Sequence, residues 1–351
     1  MPVIAETELK KQIDKSEFAR LYFLYGEEKY MVEYYARKLI AKAGGKLFPD
    51  FNLQKFDGGE ADVEQIASGA EALPFMAERK CVAVSDLDAD SMRAGEAEKW
   101  KELLTSLPES TVLVIYLPTL DIDTRKSKNW KKLIPEMEKA GSVVEFKRRS
   151  PAQLEKLLCS GAAKRGCELS RQNADRLIAF SGTDLTALLN ELEKLCAYAK
   201  AGEITEQAID AVATKNLEAR VYDLSKAILA GNYDKAYSVL DQLFSQNEEP
   251  VSVLAVLSSA YLDLYRVRVC LQSGYSAGEA AKHFDYARKE FRLTNAERDS
   301  KRFSPEMLRE SLRVLLAADA ALKGARGDRR IVLEKLIAQL LLIAEKGKSV
   351  D

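Results

Sequence analysis

The chain has 351 residues, of which 47% are apolar and 30% charged, with a formal net charge of −1. That length exceeds one ordinary core and predicts two or three domains; the composition excludes disorder, and the charge balance excludes a polycation, so contact with nucleic acid would run through a local patch or inside a larger assembly. Five cysteines (Cys81, Cys159, Cys167, Cys196, Cys270) with no C-x-x-C spacing argue for a reducing compartment and against a disulfide framework or zinc site, and a single histidine, His283, excludes a His-rich metal site and argues against a Ser-His or Cys-His engine.

The opening residues, Met1 to Glu6 and beyond, carry no apolar signal-peptide core. No uninterrupted apolar run of about 18 residues occurs; the last helix comes nearest, and Glu334, Lys335 and Gln339 interrupt it. A cytoplasmic protein with no membrane partner is expected. The apolar runs Leu21 to Tyr25, Phe51 to Phe56, Cys81 to Ser85, Val112 to Leu117 and Ser142 to Phe146 are each of strand length. The spacers between them, roughly 25 residues, suit crossover helices. Val82 to Val84 and Val112 to Tyr116 are continuously apolar, as strands covered on both faces are. The expectation is a parallel five-stranded α/β domain with right-handed crossovers.

At Ser150-Pro151 the pattern changes. Ser150 as N-cap, Pro151 at the first helical position and Gln153 as capping-box partner start a helix, and everything after reads as helix. Leu185, Leu188, Leu189, Leu192, Leu195 and Cys196 form a 3.6-period stripe. Further helix starts are read at Ser276 with Glu279, at Thr294 with Glu297, and at Ser304-Pro305-Glu306. Residues from 150 to about 214 predict a compact bundle of three or four helices, and those from about 217 a larger bundle. The final helix, Asp328 to Lys346, is apolar nearly all round, so it lies deep in its own bundle or is shared with a neighbouring subunit. His283, near a helix end, reads as structural or incidental, and Tyr222, Tyr233, Tyr237, Tyr261 and Tyr265 read as packing.

An α/β domain followed by a small helical bundle is the shape of a RecA-like, AAA+-type nucleotide-driven protein, so the turn after the first strand is where phosphate would bind. A phosphate loop needs G-x-x-x-x-G-K-[ST], whose backbone N–H groups wrap the phosphates. Here the turn reads Gly26-Glu27-Glu28-Lys29-Tyr30-Met31, with two carboxylates where phosphate would sit. The third strand should end in tandem acids for magnesium; it ends Val84-Ser85-Asp86-Leu87-Asp88, and Asp86 reads as an ordinary loop start. No Ser-Arg-Cys triplet, a trans-acting arginine motif, occurs. No cofactor and no metal are expected.

Three stretches then carry a resemblance: Leu21-Tyr22-Phe23-Leu24-Tyr25-Gly26-Glu27-Glu28; Gly182-Thr183-Asp184-Leu185 running into Asn190-Glu191-Leu192-Glu193-Lys194-Leu195; and Ala318-Asp319, Leu322-Lys323-Gly324 and Leu333-Glu334-Lys335-Leu336. In order and spacing, over nearly the whole chain, they resemble the bacterial DNA polymerase III delta subunit family of clamp-loader subunits. The resemblance implies a multidomain α/β plus all-α protein: a degenerate AAA+ domain at 1–148 carrying the clamp-binding element, a small helical lid bundle at 149–215, and a C-terminal helical collar domain at 216–351. It implies as partners the sliding clamp (beta subunit), the clamp-loader ATPase and delta-prime subunits and, through the complex, primed DNA. The implied activity is to bind the clamp and open it or hold it open. The subunit itself would hydrolyse no ATP and be no enzyme, though the assembled holoenzyme is a DNA-directed DNA polymerase.

The family's clamp-binding element lies at the end of a helix just before the third strand. Here that helix runs from about Asp62, with Val63, Ile66, Ala67 and Ala70 on its apolar face, and ends at Leu73-Pro74-Phe75-Met76. Pro74 should stop the helix or start a turn, and two bulky adjacent side chains, Phe75 and Met76, cannot easily both enter one core. The family's large apolar pair falls on Phe75 and Met76, with Leu73 and Pro74 shaping the tip; the family often shows Leu-Phe, whereas the aromatic comes first here. The competing reading has Leu73 and Phe75 closing the local core. A second candidate is the basic run Arg125, Lys126, Lys128, Lys131 and Lys132, continued by Lys139, Lys147, Arg148 and Arg149 against only Glu136, Glu138 and Glu145. It could face DNA with Trp130 as an anchor, or be a solvated helix face with one buried aromatic. Arg326, Arg329 and Arg330 form a third group, read as a neighbour contact or as solvated loop charge. Two other readings stand beside the clamp-loader one: an active AAA+ ATPase with a non-standard phosphate loop, and a helical scaffold whose α/β domain binds some other ligand.

Overall fold

The structure is a computed structural model that describes residues 4–44, 48–93, 95–124, 126–286, 291–301, 303–324 and 328–348. Backbone contacts divide the chain into two compact units, Met1–Arg149 and Ser150–Asp351.

The first unit is built on a parallel sheet. In chain order it comprises α1 (Glu6–Lys15), β1 (Leu21–Gly26), α2 (Lys29–Ala43), α3 (Pro49–Asn52), β2 (Leu53–Asp57), α4 (Val63–Glu71), β3 (Lys80–Ser85), α5 (Glu96–Ser106), β4 (Thr111–Tyr116), α6 (Lys128–Ala140) and β5 (Ser142–Phe146). The strand order is β2-β3-β4-β1-β5, and every pairing is parallel, as the sequence led one to expect of five strands. Strands β1, β3 and β4 have neighbours on both sides and helices on both faces, which is why they read as unbroken apolar runs. Leu21, Phe23, Val82, Val84, Leu113 and Ile115 point to one face, where they meet Ile66, Trp100, Leu103 and Trp130 from the helices. Strand β2 lies at the sheet edge and is half-exposed, so Gln54 and Lys55 are tolerated there. It starts two residues later than the sequence suggested: Pro49 begins a single helical turn that takes in Phe51.

The second unit is helical. It comprises α7 (Pro151–Ala163), α8 (Arg171–Ser181), α9 (Leu185–Ala199), α10 (Glu206–Val212), α11 (Leu217–Leu229), α12 (Tyr233–Ser245), α13 (Pro250–Gln272), α14 (Ala280–His283), α15 (Phe291–Ser300), α16 (Pro305–Gly324) and α17 (Arg329–Lys348). The Ser150 capping box forms as read, with Ser150 Oγ accepting from Gln153 N–H at 3.4 Å and Ser150 N–H donating to Gln153 Oε1 at 2.9 Å. Ser304 caps α16 by accepting from Met307 N–H. The two other starts fare differently. Ser276 precedes a 3-10 turn, Ala277–Glu279, that runs into α14, but it makes no side-chain cap, whereas Thr294 and Glu297 both lie inside α15, which puts Leu293 and Ala296 into the core. Packing, not the local motif, decides where that helix begins.

The connection from α10 into α11 is gripped from α8 and α9. Thr214 N–H donates to Glu191 Oε2 at 3.1 Å, Ser181 Oγ to Thr214 O at 3.4 Å, and Asn216 N–H to Phe180 O at 2.8 Å. Helices α11 to α17 enclose one apolar core in which Leu333, Leu336, Ile337, Leu340 and Leu341 of α17 are buried. Of the two expectations for the last helix, its own bundle covers most of it, while Ile331 and Leu342 stay exposed. A polar knot sits beside this core. The buried carboxylate of Asp263 accepts from Arg292 Nε at 2.7 Å and from Tyr286 Oη at 2.6 Å, so the charge is paired. Tyr261 is buried, and the hydroxyls of Tyr222 and Tyr237 donate to Asp299 Oδ2 and Glu334 O, consistent with packing roles. The five thiols are free; burial pushes Cys81 up to about 12, which makes it unreactive. His283 is exposed at the end of α14.

Candidate functional site

Helix α4 starts at Asp62, whose side chain accepts from Glu64 N–H, and it stops at Glu71 because Pro74 three residues on cannot continue it. Ala72 already has extended angles (φ −60°, ψ 136°). The segment 72–79 then crosses to β3 without regular structure, yet it is fixed at three places. Thr111 Oγ1 donates to Ala70 O at 2.7 Å and pins the last turn of α4 to β4. Arg79 Nη1 donates to Phe18 O at 3.1 Å near the far end. Between them, Phe75 N–H donates to Asn52 Oδ1 at 2.7 Å and Asn52 Nδ2 donates to Phe75 O at 2.9 Å.

The side chains of this tip face outward. Leu73 is 84% exposed, Met76 73% and Phe75 45%, so the reading in which Leu73 and Phe75 close the local core does not hold. Pro74 is half-buried. Phe75 packs on two further exposed rings, Phe51 (62% exposed) at 5.0 Å and Phe48 (43% exposed) edge-on at 5.3 Å. Met76 sits at φ +46°, in the left-handed region that bulky side chains seldom occupy. Sequence reasoning found Leu73, Pro74, Phe75 and Met76 but missed Phe48, Phe51 and Asn52. The available signal was Pro49, which breaks the strand that Phe51 was assigned to.

The turn after β1 is arranged differently. Gly26 has φ +136°, and a Cβ there would lie 2.2 Å from Phe146 O, so only glycine fits. Glu28 N–H, which a phosphate loop would offer to its ligand, donates to Phe146 O at 3.0 Å. Lys29 Nζ pairs with Asp121 Oδ1 at 3.0 Å and donates to the carbonyls of Leu117 and Leu120. Asp86, at φ +48°, accepts from Thr119 N–H (3.0 Å), Leu120 N–H (3.1 Å) and Thr119 Oγ1 (2.9 Å). Both residues hold the loop 117–121; the sequence read Asp86 as an ordinary loop start, and it does follow β3 directly.

The basic run is only partly assembled. Arg125 lies outside the described residues. Lys126, Lys128, Lys131 and Lys132 are exposed at or near the start of α6, with Lys126 3.5 Å from Asp123. Lys139 pairs with Glu136, Lys147 with Glu145, and Arg149 with Glu6, so these three are spent within the chain. Trp130 cannot serve as an anchor: it is fully buried and stacked on Phe23 at 5.3 Å, because its place on α6 faces the sheet. In the third basic group, Arg326 lies outside the described residues, and Arg330 ties α12 to α17 through Asp241 and Glu334. Among the described residues no group of three or more His, Cys, Asp or Glu could hold a metal ion, and no helix is long and apolar enough to cross a membrane.

Residues 22–147 match the family described as DNA polymerase III, delta subunit, and residues 218–340 match DNA polymerase III delta subunit, C-terminal domain. The chain belongs to the DNA polymerase III delta-subunit family. Bacillus subtilis DNA polymerase III subunit delta is 26% identical over 347 residues, covering 96% of this chain and 97% of that protein. A probable DNA polymerase III subunit delta of Aquifex aeolicus is 24% identical over 269 residues, 74% of each chain. Among solved structures, the Bacillus subtilis DNA clamp loader delta protein (YqeN) matches with a TM-score of 0.61 and 24% identity, covering 95% of this chain and 99% of that one. The first delta-family match contains both the tip at 73–76 and the turn at 26–31.

Proposed function

We propose that this protein is the delta subunit of a replicative clamp loader, which binds the sliding clamp through the tip at Leu73, Pro74, Phe75 and Met76 and favours the clamp with one interface loosened. The observation that carries the reading is an apolar tip held out into solvent by hydrogen bonds to its backbone. Exposed large apolar side chains clustered on one element mark a protein-binding site, and an aromatic beside a flexible Met suits a shallow apolar pocket. Binding opens a ring only through higher affinity for the open form than for the closed one.

The chain would hydrolyse no ATP. That part rests on a turn whose glycine, backbone N–H and lysine are each engaged by the protein itself. ATPase and delta-prime subunits would then supply the nucleotide-driven step and assemble on a collar within 216–351, with a lid at 149–215 and the clamp-binding domain at 1–148. Lys126, Lys128, Lys131 and Lys132 are the candidates for facing primed DNA. The cytoplasm is the compartment that goes with this role.

The test is titration of the full chain against the sliding clamp of the same organism, with and without Phe75→Ala plus Met76→Ala. The expected result is a loss of about tenfold to a hundredfold in affinity, since fully burying one large apolar side chain is worth roughly 1.5–3 kcal/mol and Phe75 has less than half of its surface left to bury, with circular dichroism unchanged. Equal binding by the variant moves the site elsewhere. No binding by the unaltered chain overturns the reading, as does ATP turnover by the isolated chain for the non-catalytic part.

A further inference from the structure

Helices α8 and α11 leave a cleft of about 520 Å³ between them, with Asp210 of α10 and Lys215 of the passage into α11 also on its lining. That is the size of a small-molecule site. Arg176, Ala179 and Phe180 share one face of α8, and Ala219, Tyr222 and Lys226 one face of α11, each at helical spacing. The alanines leave the space open, and the two aromatic rings that bound it are half-buried. Both aromatic residues are held by neighbours. Tyr222 Oη donates to Asp299 Oδ2 at 2.7 Å and accepts from Arg298 Nη2 at 2.6 Å, and Phe180 O accepts from Asn216 N–H at 2.8 Å. Cations lie over both rings, Lys215 Nζ 4.5 Å from the centre of Phe180 and Lys226 Nζ 4.5 Å from that of Tyr222. The charges are not equivalent. Asp210 takes Arg176 Nε at 3.0 Å and Nη2 at 2.7 Å, and Asp223 takes Lys215 Nζ at 2.6 Å. Lys226 is exposed and has no carboxylate partner among the described residues.

We propose that this cleft binds a nucleotide unit, with the base on the rings of Phe180 and Tyr222, the phosphate at Lys226, and Asp210 or Asp223 accepting from an amino group of the base. The lining selects that chemistry by elimination. A bare anion has no use for two aromatic walls and would meet two carboxylates. A wholly apolar group would strip water from Lys226 and from those carboxylates and give nothing back. A nucleotide uses all three: its base stacks on aromatic side chains and on the cations beside them, its phosphate takes the lysine, and each carboxylate has lone pairs left for an N–H donor after its ion pair is made. A free nucleotide and a single-stranded nucleic acid both carry this unit. The site belongs to the helical unit and owes nothing to the turn at Gly26 to Met31, and no hydrolysis is assigned to it. An occupant would touch α8, α10 and α11 together, so it would tighten the passage at residues 213–216.

The experiment titrates the full chain with two probes that share a base, deoxyadenosine monophosphate and an oligodeoxyadenylate strand, and follows affinity together with amide hydrogen exchange. Binding should slow exchange at the Thr214 and Asn216 amides. Lys226→Glu and Tyr222→Leu should each weaken binding by roughly tenfold, while Tyr222→Phe, which keeps the ring, should stay within about twofold of the unaltered chain. Deoxyadenosine, which lacks the phosphate, should bind more weakly than the monophosphate and be indifferent to Lys226→Glu. Because Tyr222 also ties α11 to α15, the exposed Lys226 provides the variant least able to disturb the fold. Cleft-dependent binding of the monophosphate supports the site with a free nucleotide as its source; cleft-dependent binding of the strand alone supports it with a nucleic acid as its source. Absence of binding by both probes overturns the proposal. So does binding that survives both Lys226→Glu and Tyr222→Leu, including strand binding that is lost instead with Lys131→Glu on α6. Phe75→Ala plus Met76→Ala should leave every one of these affinities unchanged, so this site and the clamp-docking reading fail separately.

Discussion

Two irregular segments of the α/β unit are held by the same means and to opposite effect. The turn at Gly26 to Met31 and the tip at Leu73 to Met76 each follow a regular element, each contain a residue at positive φ, and each are fixed by hydrogen bonds reaching across the unit. In the turn, the polar groups a ligand would need are consumed: an N–H by Phe146, a lysine by Asp121 and two carbonyls. In the tip, the polar backbone is satisfied from below by Asn52, and what remains for a partner is apolar. Hydrogen bonding closes one place to chemistry and prepares the other for contact. A buried polar group must be satisfied somewhere, and which partner satisfies it decides what the surface above can do.

Substitutions can separate the two segments by their effect on stability. The largest effect is expected from Gly26→Ala, which forces a Cβ into the Phe146 carbonyl at an unfavourable φ; a loss of about 3 kcal/mol or more should appear as a lowered urea midpoint. Asp86→Ala removes an acceptor used three times by the loop 117–121. It should cost about 1–3 kcal/mol, and the Thr119 and Leu120 amides should exchange faster. Smallest of all is Met76→Ser, which removes an exposed apolar group and should leave the urea midpoint within about 0.5 kcal/mol of the unaltered chain. A marked destabilisation by Met76→Ser would show that the tip is part of the core, and the contrast between the segments would collapse.

The sheet was legible because strands buried on both faces must be apolar throughout, and Val82 to Val84 and Val112 to Tyr116 are. The edge strand was misplaced by two residues because Pro49 converts Phe51 from a strand position to a helical one. The cap at Ser150 was read correctly since both its partners are local. Thr294 carries a similar motif inside a helix, where burial of Leu293 and Ala296 outweighs it. The tip was half legible: a proline followed by two bulky apolar residues is visible in the sequence, whereas Asn52 acts across 23 positions through side chain-to-backbone bonds, and no period or motif encodes that. For Trp130 the sequence left an anchor and a buried aromatic both open, and its helical phase, which aims it at Phe23, decides for the buried aromatic.

The grip on residues 213–216 has a mechanical consequence. A chain that passes from one helical group to another through a slack linker dissipates any push as linker motion. Here the passage is stapled by Glu191, Ser181 and Phe180, so α8 and α9 restrain where α11 begins. Helices α7 to α17 belong to one compact unit, and this staple is one place where its two helical groups are tied together.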